Sequence, residues 1–98
     1  MKNMYKVIPE PKVYHGSLYK PLPGISNQII KLKLGTVPNN QHEKYSDAIF
    51  IQDSNRNIFP VYMYCGEYRV GTFTKKFVDD PTKKWHVAAD KFISYLTA

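Results

Sequence analysis

The half of the chain from Ala48 to Thr97 carries two hydrophobic periods in succession, and few folds accept that order. AIFIQ is followed by DSNRN, then IFPVYMYCGEYRVGTFT, then DDPTKKWHVAADKFISYL. The first stretches alternate with a period of two, as half-buried strands do. The last places Trp85, Ala88, Ala89, Phe92 and Leu96 at helical spacing, which makes one apolar stripe. Three short strands and then one amphipathic helix that covers them is the arrangement this order predicts.

The connections support that order. Asp53-Ser54-Asn55-Arg56-Asn57 consists of residues that tolerate turn geometry and reads as a hairpin turn. Gly66-Glu67 reads as a second tight turn, and Gly71 as a bulge or a close contact. Within Ile58–Cys65 the face formed by Phe59, Val61, Met63 and Cys65 is assigned to the core, and Tyr62 and Tyr64 lie opposite. Pro60 cannot donate to a ladder, which puts that strand at an edge or near its start. Asp80-Pro81 reads as the helix start, an aspartate cap before a proline whose missing N–H is no loss there.

The first half is less regular. Met4–Ile8 is a short extended candidate that Pro9 and Pro11 stop. Residues 9–24, with Pro9, Pro11, Pro21, Pro23, Gly16 and Gly24, read as a loop packed on the domain. Asn27–Leu34 alternates and reads as a strand, with Ile30, Leu32 and Leu34 on one face and Ile29, Lys31 and Lys33 on the other. Residues 35–47 read as a polar loop. The fold class expected is α+β: an antiparallel sheet of about four strands with one C-terminal amphipathic helix packed on one face. At 98 residues it forms a single domain, 1–98, with residues 1–24 as a proline-rich N-terminal segment packed on it.

Charge and cysteine count narrow the function classes. Fourteen Lys and Arg stand against eight Asp and Glu, a formal charge of +6 spread over both halves. A diffuse positive field attracts polyanions, of which nucleic acid is the commonest; the same charge also serves simply as a soluble surface. A single cysteine, Cys65, excludes an intrachain disulfide and suggests a reducing, cytoplasmic setting. The start of the chain has no long apolar run of the signal-peptide kind, and no stretch of about 18 apolar residues suits a membrane span. Abundant Asn, Lys, Ile and Tyr in a short chain suit a viral or mobile-element accessory protein.

No catalytic or metal motif is present, and no cofactor is expected. His15, His42 and His86 are scattered, without ligand spacing. The candidate site is instead an aromatic and basic sheet face: phosphates seek Lys and Arg, and bases seek flat rings. Lys31, Lys33, Tyr62, Tyr64 and Arg69 are expected on that face, with Lys75, Lys76, Lys83 and Lys84 holding phosphates. Lys83 and Lys84 sit at the expected helix start, where a positive charge opposes the helix dipole unless an anion binds there or Asp79 and Asp80 neutralise it. Two other uses of the face are a solvated tyrosine-rich surface and one covered by the proline-rich loop.

At YRVGTFTKKF followed by WHVAADKF the chain resembles the three-strand-plus-helix DNA-binding domains of the AP2 and integrase arm-binding families. Gly71, Thr72 and Phe73 match the last-strand step, and Ala88 and Ala89 match the alanine-rich helix. The resemblance covers residues 58–97 and implies a sheet that enters the DNA major groove. The chain departs from it at the long Lys75–Thr82 connection and in having only Arg69 basic among strand residues of FPVYMYCGEYRV. The function expected is therefore a small, basic, non-enzymatic nucleic-acid-binding protein, with DNA favoured over RNA. The alternative is a protein-interaction module, using the same tyrosines or an edge strand to dock on a host protein or to form a homodimer.

Overall fold

The computed structural model describes residues 4–12 and 16–98, without the side chain of Lys75. Five antiparallel strands form one sheet in the order β1-β3-β4-β5-β2. They are β1 (Lys6–Ile8), β2 (Leu18–Leu22), β3 (Ile49–Gln52), β4 (Ile58–Tyr64) and β5 (Glu67–Gly71). Three helices, α1 (Asn27–Leu34), α2 (Lys75–Val78) and α3 (Lys84–Thr97), contribute to the same apolar core against one face of that sheet. The α+β class stands, with five strands in place of about four.

The C-terminal half forms largely as its periodicity demands. Trp85, Ala89, Phe92 and Leu96 of α3 are buried against Phe59, Val61 and Met63 of β4. Phe59 and Phe92 stack with ring centroids 4.9 Å apart. The Trp85 indole N–H donates to the Ile58 carbonyl at 2.9 Å, so the largest buried ring leaves no polar atom unpaired. The Asp53 turn is held by its own carboxylate, which accepts from the backbone N–H groups of Asn55 and Asn57.

Several local expectations shift. The β4–β5 turn is Cys65-Gly66, with both residues at positive φ (49° and 80°) between the paired Tyr64 and Glu67. Cys65 is therefore exposed on a turn and not on the core face. Pro60 lies in a central strand, opposite Phe50 of β3, but just outside the β4–β5 register, which starts at Val61. Asp80-Pro81 does not open α3. The Asp80 carboxylate accepts from the N–H of Thr82 in a separate turn, and the helix starts at Lys84 after Lys83 takes a left-handed conformation. Gly71 is no bulge; the irregularity falls on β2, between Leu18 and Lys20.

The expected strand over Asn27–Leu34 is a helix. Ser26 caps it, its hydroxyl accepting from Ile29 N–H at 3.2 Å. Gly35 ends it at φ 82°, its N–H donating to the Lys31 carbonyl at 2.8 Å. Ile30 and Leu34, one turn apart, enter the core, whereas Leu32 is 79% exposed. Lys31 and Lys33 thus belong to α1 and to the helical layer, not to the sheet. Lys33 and Lys31 in the last turn also suit the negative helix end.

Residues 1–24 do more than pack on the domain, because β1 and β2 are the two edge strands of the sheet. The proline-rich segment hides β2 because an edge strand tolerates Pro21, whose missing N–H costs no bond on the open side. β2 is clasped to α3 by Asp90, which accepts from the Tyr19 hydroxyl and from Lys20 Nζ, each at 2.9 Å. The Lys20 hydrogen bond, ahead of the Tyr19 one, holds the Asp90 carboxyl below its ordinary range. Beginning at one edge and ending at the other, the connection from β1 to β2 spans four inter-strand steps, roughly 19 Å. Glu10 on one side of it and Gly16-Ser17 on the other lie beside Tyr62 and Arg69 on the face opposite the helices.

Burial separates the helix from the strand at residues 27–34. Ile30→Asp should destabilise the fold by about 4 kcal/mol, because it buries an unpaired charge, and Leu32→Lys should change stability by less than about 0.5 kcal/mol. Urea unfolding of the two variants is the check; equal costs would restore the alternating strand.

Candidate nucleic-acid interface

Alternation along β4 and β5 sends Tyr62, Tyr64, Glu67 and Arg69 to the face that the helices leave uncovered. Tyr62 lies directly across from Arg69, and Tyr64 across from Glu67. The Arg69 guanidinium lies over the Tyr64 ring, 4.4 Å from its centroid. Stacking of this kind contributes about 0.5–2 kcal/mol, and the guanidinium edge meets the Glu67 carboxylate and the Tyr62 side chain. Arg69 Nε is buried without a hydrogen-bond partner and forms an ion pair with Glu67 Oε1 at 3.6 Å, longer than a hydrogen bond.

A second segment completes the group. The chain from Lys44 to Ser46 runs beside the end of β4: Ser46 N–H donates to the Met63 carbonyl at 3.0 Å, and Cys65 N–H to the Lys44 carbonyl at 2.9 Å. Ser46 Oγ accepts from Met63 N–H at 2.8 Å. Tyr45 thereby pairs with Tyr64, their rings 4.6 Å apart and tilted, and Tyr45 stays 59% exposed. Lys44 Nζ sits 5.6 Å from the same Tyr64 ring. Tyr64 is thus the hub of a row of two rings and two cations.

Beside this row lies a concavity of about 460 Å³, bordered by Glu10, Ser17, Tyr45, Ala48, Tyr62 and Arg69. Burial raises the Tyr62 phenol above its ordinary pKa; Arg69 opposes that rise by favouring the phenolate, and Tyr45 adds to it slightly. Further along the same face, Phe50 and Pro60 are buried, so this part of the sheet is apolar and closed. The outer face is therefore partly covered, and its accessible portion is the end formed by β4 and β5.

Of the sequence-predicted residues, Tyr62, Tyr64 and Arg69 come together. The lysines do not join them. Lys31 and Lys33 are on α1, Lys75 and Lys76 on α2, Lys84 at the start of α3 and Lys83 just before it. Lys33 Nζ lies 4.9 Å from the Tyr95 ring of α3; Lys31, Lys76, Lys83 and Lys84 are exposed. The expected phosphate site at the helix start thus faces away from the tyrosines. His15 lies outside the described residues, and among the described residues no group of three or more His, Cys, Asp or Glu is placed to hold a metal. No helix among them is long and apolar enough to cross a membrane.

Tyr45, Lys44, Glu10 and Ser17 escape sequence reasoning. Tyr45 lies in a polar stretch with no alternation, and only the resumed pairing with Tyr64 puts it on the sheet. A different groove of about 590 Å³ lies where Met4 and Asn55 meet Lys84, Val87 and Lys91. Its exposed apolar residues, Met4 and Val87, adjoin the open edge strand that carries Val7. No family of known proteins matches this chain, and neither a curated protein nor a solved structure matches it.

Tyr62 reports on this site. Its phenol should titrate above free tyrosine, so the stability that burial of the neutral ring gives is complete below about pH 10 and falls as pH rises through the higher folded-state value. Arg69→Gln removes the opposing charge and should move the Tyr62 titration higher still. Carbon-13 tyrosine resonances followed against pH provide the measurement, and a downward move in the variant would show that Arg69 does not act on Tyr62.

Proposed function

We propose that this chain is a small non-enzymatic nucleic-acid-binding protein that works through the β4–β5 end of its outer sheet face. The row Tyr45–Tyr64–Arg69 with Lys44 is the observation that carries the proposal. A half-exposed ring offers a base a stacking surface of about 1–3 kcal/mol without sequence preference. Lys44 offers donors to a phosphate. Tyr62, Tyr64 and Arg69 remain contact residues, and Lys44 and Tyr45 join them.

The lysines of the helical layer take a different part in this scheme. They add to the +6 field that draws a polyanion toward the surface, an effect that salt screens over about 10 Å. A reducing intracellular setting goes with the proposal, since the one cysteine is exposed on a turn.

Fluorescence anisotropy with labelled DNA and RNA across a salt series tests this. Tyr45→Ala should weaken binding by about 1–3 kcal/mol, and Lys44→Ala should flatten the salt slope by about one unit. Lys31→Ala with Lys33→Ala should leave affinity within about twofold, because both lie in the helical layer. Unchanged binding by Tyr45→Ala and Lys44→Ala together would remove the outer face from the proposal.

A second use, as a protein-interaction or self-association module, is favoured by the exposed Met4, Val7 and Val87 beside the open edge of β1. Partners retained from lysate after nuclease treatment, or sedimentation as a homodimer, would favour it over nucleic acid.

A further inference from the structure

The concavity between Glu10 and Arg69 decides which form of nucleic acid suits this face. We infer that it receives one unpaired base of a single strand, with the adjoining phosphate held outside it at Lys44. This rests on the nucleic-acid proposal and narrows it. Three observations carry it.

The first is shape. A duplex offers a sheet its major groove, about 12 Å wide, which admits a two-stranded ribbon that stands proud of its surroundings. Here the accessible face is sunken. Glu10 and Ser17, from the connection that joins the two sheet edges, border the concavity on which Tyr62 and Arg69 lie. At about 460 Å³ its size is that of a small-molecule site and not of a groove-docking ridge.

The second is charge balance. Arg69 and Glu10 both border the concavity, and Glu67 Oε1 forms an ion pair with Arg69 Nε at 3.6 Å. A phosphate placed there would meet two carboxylates. A neutral base meets no such cost, and its donors and acceptors can use Glu10, Ser17 and the Tyr62 hydroxyl, which border the concavity. Lys44 is not part of the lining and remains free to take the phosphate.

The third is the rings. Tyr62 and Tyr45 both border the concavity, and Tyr45 is 59% exposed. Rings in such a position stack on a base only if its faces are open, which a single strand allows and a duplex forbids unless a base is extruded.

The test uses fluorescein-labelled 20-nucleotide single strands of DNA and of RNA, and the duplex of each, at one salt concentration. The full chain should bind at least one single strand tenfold or more tightly than its duplex. Ala48→Phe, which fills the concavity without touching a charge, and Arg69→Gln should each lower single-strand affinity at least tenfold and leave duplex affinity within twofold. Circular dichroism monitors folding. Should Ala48→Phe unfold the sheet, a 2-aminopurine in the strand reads the wild-type protein directly: its emission should change on binding. Duplex binding equal to or tighter than single-strand binding overturns the inference, as do full single-strand affinity in both folded variants or unaltered 2-aminopurine emission; the broader proposal then still stands if Tyr45→Ala and Lys44→Ala weaken binding. Binding to no nucleic acid at low salt overturns both.

Discussion

The Trp85 indole, wedged between Phe59 and Tyr19 and tied to the Ile58 carbonyl, sets which side of the sheet is interior. With Phe92 stacked on Phe59 about two turns further on, it lays α3 across the middle strands. A fully buried tryptophan and phenylalanine remove hundreds of square ångströms from water. Once α3 is seated, α1 and α2 complete the same layer, and Glu10 and Ser17 come to lie beside Tyr62 and Arg69 on the opposite face.

That asymmetry explains the distribution of charge. Most lysines extend from the helical layer, where long flexible side chains reach water easily and Lys33 also covers the Tyr95 ring. The outer face instead holds the one strand arginine, stacked on Tyr64. Planar and always charged, a guanidinium can lie on a ring and still donate from its edge, which an ammonium cannot do. The positive field is thus general, while the stacked guanidinium of the outer face is local.

The helix N-terminus illustrates how a sequence feature and its function can part. Asp79-Asp80 followed by Lys83-Lys84 suggested an anion site on free N–H groups. The Asp80 carboxylate already accepts from Thr82 N–H, and this bond, its largest influence, lowers its pKa. Lys83 turns left-handed to start α3, so it shapes the entry to the helix. The two lysines are exposed on the side away from the tyrosine row.

Sequence alone determined what short-range periodicity can determine: the β3–β4–β5 meander, the Asp53 turn, the apolar stripe of α3, and the outward direction of Tyr62, Tyr64 and Arg69. Those elements alternate or recur strictly, and neighbours in sequence are neighbours in the sheet. Residues 27–34 failed that logic, because NQIIKLKL satisfies both periods; Ser26 and Gly35 as caps decide for the helix, and burial of Ile30 and Leu34 with exposure of Leu32 follows. Only tertiary structure decided that β1 and β2 occupy opposite edges, that Tyr45 joins Tyr64, and that Glu10 and Ser17 border the concavity at Arg69. These are contacts between residues far apart along the chain, set by where a packed helix leaves room, and no local pattern of residues encodes them.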